Sequence, residues 1–158
     1  MEQTPASLSL QDRYSPRSVC FGCGPANEKG LRIKSIPEGD EVVAEFRPQP
    51  HHLAFAGAVN GGILGTLLDC HSNWTAAYQL MRARGADVPP CTVTKEFHVK
   101  MRLPTPIESP LKLRAKVVEI SGDRAVVEAT VESNGKVTAT CRGQFVAVKE
   151  GHPAFRRW

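Results

Sequence analysis

Residues 58–82 read AVNGGILGTLLDCHSNWTAAYQLMR. Ile63, Leu67, Cys70, Trp74, Ala77 and Met81 recur at steps of three and four, the repeat of an amphipathic helix. From Ala58 to Arg82 this predicts about six turns, long for a domain of this size. Gly85 lies just past the predicted end, and Pro89-Pro90 bars continuation. Two features are out of keeping with a plain core helix. Gly61 and Gly62 stand at its start, although Gly is a poor helix former. Asp69 stands in its middle and is the only charged residue between 59 and 81.

On either side of this helix the pattern is that of strands. Upstream, Gly30–Lys34 alternates apolar and charged side chains and is expected to be a strand. Pro37-Glu-Gly-Asp40 supplies a turn. Val42, Ala44 and Phe46 then alternate with charged residues, so a second strand is expected to pair with the first as a hairpin. Downstream, Val93, Lys95, Phe97, Val99 and Met101 are expected on one face of a strand, with Thr92, Thr94, Glu96, His98 and Lys100 on the other. Leu111, Leu113, Ala115 and Val117 mark the next strand, Ser121-Gly-Asp123 a turn, and 125–131 a further strand. Asn134-Gly135 is a strong hairpin signal, and the last strand runs from Lys136 to about Val148. Two strands, one long helix and four strands make an α+β protein. An antiparallel sheet must bury one face, and the helix is the element available to cover it. The architecture is a curved antiparallel β-sheet wrapped around one long central α-helix, the hotdog fold.

The bulk properties fit one domain with a real core: 158 residues, 41% hydrophobic and 23% charged. Residues 1–18 read as a tail or a short helix lying on the domain, 19–150 as the domain, and 151–158 as a C-terminal tail. No apolar run approaches the ~18 residues of a membrane span, and the polar N-terminus lacks a secretory h-region. A net charge of +4 suits anionic small molecules and is too weak and scattered for nucleic acid. Five cysteines, an odd count, imply free thiols in a reducing compartment, hence a cytoplasmic protein. Cys20-Phe-Gly-Cys23 has zinc-knuckle spacing. With no second CxxC and no His pair at finger spacing, it is read as structural, and no metal or cofactor is expected.

Three stretches together resemble the PaaI-like hotdog thioesterases: Cys20-Phe-Gly-Cys-Gly-Pro…Gly30-Leu31, Phe55-Ala-Gly-Ala-Val-Asn-Gly-Gly-Ile-Leu-Gly-Thr-Leu-Leu-Asp69, and Thr94…Arg102-Leu-Pro-Thr-Pro106. The similarity covers about residues 20–149. The family opens its helix with His-Gly-Gly and carries a catalytic Asp or Glu further along; Gly61, Gly62 and Asp69 fall on those positions. The family His is replaced by Asn60. An Asn that some members carry six residues earlier is replaced by Ala54. A family Ser or Thr that helps hold the attacking water falls on Thr94. The resemblance implies hydrolysis of an acyl-coenzyme A thioester in a homodimer or a dimer of dimers.

Elementary chemistry supports these assignments. The first amides of a helix lack internal partners and lie at its positive end, where a developing oxyanion finds donors. Gly61 and Gly62 let a carbonyl approach that backbone closely; a glycine pair by itself equally serves tight packing. Asp69 is read as general base or nucleophile, against the alternative of an exposed stripe shared with Ser72 and Asn73. Thr94 suits either water binding or plain β-propensity. Asn60 suits a helix cap, carbonyl orientation, or both. His71, two residues from Asp69, does not face it on a helix. His98 is read as structural, and Trp74, Tyr78 and Met81 as core or dimer packing. Nine residues separate Asn60 from Asp69, about 13 Å along the axis and about half a turn in azimuth. One acyl carbon cannot reach both in one helix, so a shared site requires the glycines of one chain and Asp69 of its partner. Two other readings compete: a non-catalytic hotdog domain binding an acyl or aromatic ligand, and, more weakly, a dehydratase on the same fold.

Overall fold

The computed structural model describes residues 8–158; the first seven residues of the expected N-terminal tail lie outside the described residues. A short helix, α1 (Leu10–Tyr14), is followed by β1 (Ile36–Glu38), β2 (Glu41–Phe46), a 3-10 turn at Pro50–His52, β3 (Leu53–Phe55) and β4 (Ala58–Val59). Then come the long helix α2 (Gly61–Arg84) and the strands β5 (Thr92–Met101), β6 (Leu111–Ser121), β7 (Arg124–Ser133) and β8 (Lys136–Ala147). Six strands form one antiparallel sheet in the order β1-β2-β6-β7-β8-β5, and β3 and β4 make a separate small hairpin. Helix α2 packs against β2, β5, β6, β7 and β8. This is the expected hotdog arrangement.

Local chemistry accounts for the boundaries of α2. Asn60 caps it, its Oδ1 accepting from the Ile63 N–H at 3.2 Å. Gly85 ends it in the left-handed conformation at φ 61°, with its N–H on the Arg82 carbonyl. Every residue from His71 to Ala77 is buried, so no polar stripe runs along this stretch. Ser72 and Asn73 lie inside the protein, and the alternative that grouped Asp69 with them on a solvent face is thereby removed. The core joins Leu64, Leu67, Leu68 and Leu80 of α2 to Val42, Leu111, Leu113, Val127 and Phe145 of the sheet. Each such side chain contributes roughly 1.5–3 kcal/mol on leaving water.

Two expectations about strands are corrected. Gly30–Lys34 is irregular chain. Arg32 has φ 52°, which no pleated strand accommodates, and the Leu31 and Ile33 N–H groups donate to the Phe21 and Gly22 carbonyls. The hairpin partner of β2 is instead β1, where Pro37 is tolerated because β1 lies at the sheet edge. The second correction concerns β5. Its pairing with β8 shifts between Thr94 and Glu96, a bulge that leaves Lys95 outside the register. An extra residue reverses the alternation of the strand. Thr92 and Thr94 point at α2, where Thr92 Oγ1 donates to Asn73 Oδ1 at 2.8 Å. Beyond the bulge, Val99 packs on the core and Met101 lies near Gly61. Thr94 therefore does not share a face with His98 and Lys100. Similar shifts, at Val118 of β6 and Thr138 of β8, add curvature to the sheet.

The C-terminal residues expected as a tail lie against the domain. Trp158 stacks on Trp74 with ring centroids 4.5 Å apart, its indole N–H donating to the Pro89 carbonyl.

Candidate active site

Helix α2 carries two chemically distinct places. The first is its start. The N–H groups of Gly61 and Gly62 have no acceptor among the described residues, whereas the Ile63 N–H is taken by the cap and the Leu64 N–H by the Asn60 carbonyl. Two donors at the positive end of a 24-residue helix thus face outward. A Cβ on Gly62 would stand 2.9 Å from Asn60 Oδ1, so glycine keeps the cap and the open approach compatible. A cleft of about 340 Å3 opens here, lined by Ala54, Phe55, Val59, Gly61, Met101 and Leu103. Arg102 stands at this cleft and makes no ion pair among the described residues. A larger cavity of about 680 Å3, among Lys100, Arg114, Lys116, Glu128 and Arg142, includes none of the five candidate residues.

The second place is Asp69. It is half-buried, and its Oδ1 accepts from Thr94 Oγ1 at 2.6 Å. Its other oxygen has no hydrogen-bond partner among the described residues. Burial pushes the Asp69 carboxyl above the ordinary carboxylate range. The Thr94 hydrogen bond opposes that shift, the nearby Cys20 sulfur reinforces it, and Arg157 opposes it weakly. A carboxylate that is confined, raised in pKa and held at one oxygen is suited to accepting a proton or attacking a carbonyl with the other.

The structure joins Asp69 and Thr94 directly, and it does so through the β5 bulge. It joins Asn60, Gly61 and Gly62 at the helix start. The two groups are not brought together within one chain, since rigid helix separates them by about 13 Å along the axis. His71 is occupied elsewhere. Its Nε2–H donates to the Val42 carbonyl at 2.8 Å and its Nδ1 accepts from Ser35 Oγ at 2.8 Å, while Gln11 closes the network onto Ser35. Complete burial lowers its pKa to about 4, so the ring is neutral. His52 is buried in the 3-10 turn, accepting from the Gln49 N–H. Trp74 is core.

Two neighbours of Asp69 were not foreseen from the sequence. Arg157 approaches from the C-terminal segment, donating to the Thr92 carbonyl at 3.1 Å. The thiols of Cys20, Cys23 and Cys70 meet beside it within 4.8 Å of one another. The CxxC spacing signalled the first two. Nothing in the spacing signalled Cys70, which reads as an ordinary member of the apolar helix repeat.

No protein-family model matches the sequence, and no curated protein matches it. Solved structures do. A thioesterase superfamily protein from Shewanella loihica PV-4 aligns over 88% of this chain and 99% of its own, with a TM-score of 0.69 and 28% identity. The E. coli PaaI protein of the phenylacetic acid degradation operon aligns over 75% of this chain and 81% of its own, with a TM-score of 0.64 and 17% identity. The smu.793 protein of Streptococcus mutans UA159, bound to acetyl-CoA, aligns over 73% and 88%, with a TM-score of 0.62 and 16% identity. The last two likenesses concern the fold alone. With this fold, and with that level of identity to the Shewanella protein across nearly its whole length, the chain is a hotdog protein of the thioesterase superfamily.

Proposed function

We propose that the protein hydrolyses an acyl-coenzyme A thioester to a carboxylic acid and coenzyme A, at two composite sites of a homodimer. The observation that carries this reading is the Asp69 carboxylate, half-buried in the central helix, held at one oxygen by Thr94 and without a hydrogen-bond partner at the other among the described residues. The thioester carbonyl sits at the start of α2, its oxygen toward the Gly61 and Gly62 amides. Asp69 of the partner subunit takes a proton from water, and the hydroxide so formed adds to the carbonyl carbon. The charge that develops on oxygen is met by the amides. The tetrahedral adduct then expels the coenzyme A thiolate, which recovers the proton from Asp69. Direct attack by Asp69 gives an acyl anhydride that water hydrolyses, with the same products. Thr94 orients the carboxylate through its O–H, and its oxygen remains able to accept from the water. Asn60 caps the helix and holds the donor corner in shape.

Several features support the dimer and the substrate class. Strand β5, ten residues long, is an edge of the sheet and has a neighbouring strand, β8, on one side only. Phe97, Met101 and Leu103 are exposed along and just beyond it, and Leu53 and Phe55 are exposed beside the helix start. A long apolar edge of this kind favours a second copy. The cleft at the glycine corner is largely apolar, as an acyl group requires, and Arg102, without an ion pair among the described residues, offers a cation for phosphate. Two proteins of similar fold were solved with acetyl-CoA or coenzyme A bound.

The decisive experiment is a screen of short, medium, aromatic and long acyl-coenzyme A thioesters with wild type and Asp69→Asn. Turnover by the wild type, lost in Asp69→Asn with substrate binding retained, is the expected result. Ligand binding without turnover in both proteins would replace this proposal with a non-catalytic acyl-binding domain.

A further inference from the structure

From the convergence of three thiols at the junction of the N-terminal segment and helix α2, we propose a tetrahedral zinc-class metal site with Cys20, Cys23 and Cys70 as ligands and an exchangeable fourth position. This stands apart from the thioesterase reading and holds or fails without it.

Three independent features carry it. The first is geometry. The Cys20 and Cys70 sulfurs are 3.8 Å apart, and all three sulfurs lie within 4.8 Å of one another. Thiolates at about 2.3 Å from a tetrahedral metal stand about 3.8 Å apart. A disulfide needs about 2.05 Å, so the thiols are spaced for a shared ion and not for a bond between them.

The second is the backbone that presents them. Cys20-Phe-Gly-Cys-Gly24 folds as a tight knuckle, closed by the Gly24 N–H on the Cys20 carbonyl at 2.8 Å. A Cβ on Gly24 would stand 2.4 Å from the Cys20 nitrogen. A Cβ on Gly22 would stand 2.4 Å from Cys70 Sγ and 2.8 Å from Thr66 Cγ2. Glycine at 22 is thus what allows the knuckle to reach the helix thiol. The Leu31 and Ile33 N–H groups bind the other side of the knuckle, and this takes residues 30–34 out of the sheet.

The third is the polarity around the sulfurs. The Trp74 indole N–H is buried with no hydrogen-bond partner among the described residues, and Cys23 lies near it. A buried donor left unmatched costs about 1–3 kcal/mol, and a metal-bound thiolate is the acceptor that satisfies it. Metal binding releases the thiol protons to solvent and pins the N-terminal segment across α2 beside Asp69.

The test is anaerobic titration of the reduced full-length chain with Co2+. The expected result is one cobalt per chain with a sulfur-to-cobalt charge-transfer band and the visible bands of tetrahedral geometry, both removed by Zn2+. Zinc should slow alkylation of Cys20, Cys23 and Cys70 relative to the metal-free chain, and mass mapping should show no zinc effect at the buried Cys91 and Cys141. Cys20→Ser, Cys23→Ser and Cys70→Ser should each lose the charge-transfer signal, while Cys91→Ser, outside the cluster, keeps it. Absence of the band in folded wild type overturns the site, whatever the variants do. So does a disulfide among the three thiols that forms equally well with zinc present.

Discussion

If each site combines the start of one helix with the middle of another, two inactive variants should repair each other. Gly62→Val spoils the donor corner, since its Cβ meets Asn60 Oδ1 at 2.9 Å and its methyls fill the approach to the amides. Asp69→Asn removes the proton acceptor while keeping an oxygen for Thr94. Each homodimer should lose roughly 10²-fold or more of its turnover. A heterodimer of the two, isolated with two different affinity tags after co-expression, contains one site with both lesions and one with neither. It should therefore show about half of wild-type turnover per dimer. If glycine corner and carboxylate served one reaction within a single chain, no intact site would form. The heterodimer would then stay at the parental level, roughly fiftyfold below the composite expectation. The physical basis is the rigidity of α2, whose nine-residue step from Asn60 to Asp69 spans about 13 Å, against the ~3 Å a proton transfer requires. Heterodimer activity indistinguishable from the parents would refute the reasoning.

Other outcomes follow from the same structure. Because burial raises the Asp69 pKa, the folded state holds that proton more tightly than the unfolded chain, and stability falls as pH rises from the ordinary carboxylate range through the raised value. Asp69→Asn should thus melt no lower than wild type at neutral pH, despite its inactivity; thermal melts from pH 3 to 8 check this. Thr94→Val, by removing the hydrogen bond that opposes the shift, should move the acidic limb of kcat/KM to higher pH, and Thr94→Ser should restore it. Neutral His71, with its pKa lowered to about 4, contributes stability that is present above its ordinary value near 6.5 and is lost as pH falls toward 4. Its contribution changes by up to about 1.4 kcal/mol per pH unit, and His71→Leu should flatten the urea-derived stability profile in that window even though its baseline is lower. Leu67→Ala, at a side chain with 0% exposure, should cost about 2–5 kcal/mol in urea unfolding.

What the sequence determined by itself is what depends on neighbours along the chain. The step of three and four from Ile63 to Met81, the Asn60 cap, the Gly85 stop and the Asn134-Gly135 turn are short-range chemistry, and each stands where the pattern puts it. Asp69 announced itself as the only charged residue between 59 and 81, whereas the burial of the seven residues from His71 to Ala77 that follow it was seen only in the fold. Three things were decided only in three dimensions. The bulge at Lys95 turned Thr94 from the outer face to Asp69, and alternation counted along the strand cannot register an extra residue until the partner strand shows it. The segment 30–34, patterned as a strand, gave its amides to the Cys20–Cys23 knuckle, because a left-handed Arg32 and a nearer set of carbonyls outcompeted the sheet edge. Cys70 met that knuckle across fifty residues of chain. Periodicity describes which side of an element is apolar; it carries no information on which distant element that side will touch, and contacts between distant residues are made by packing.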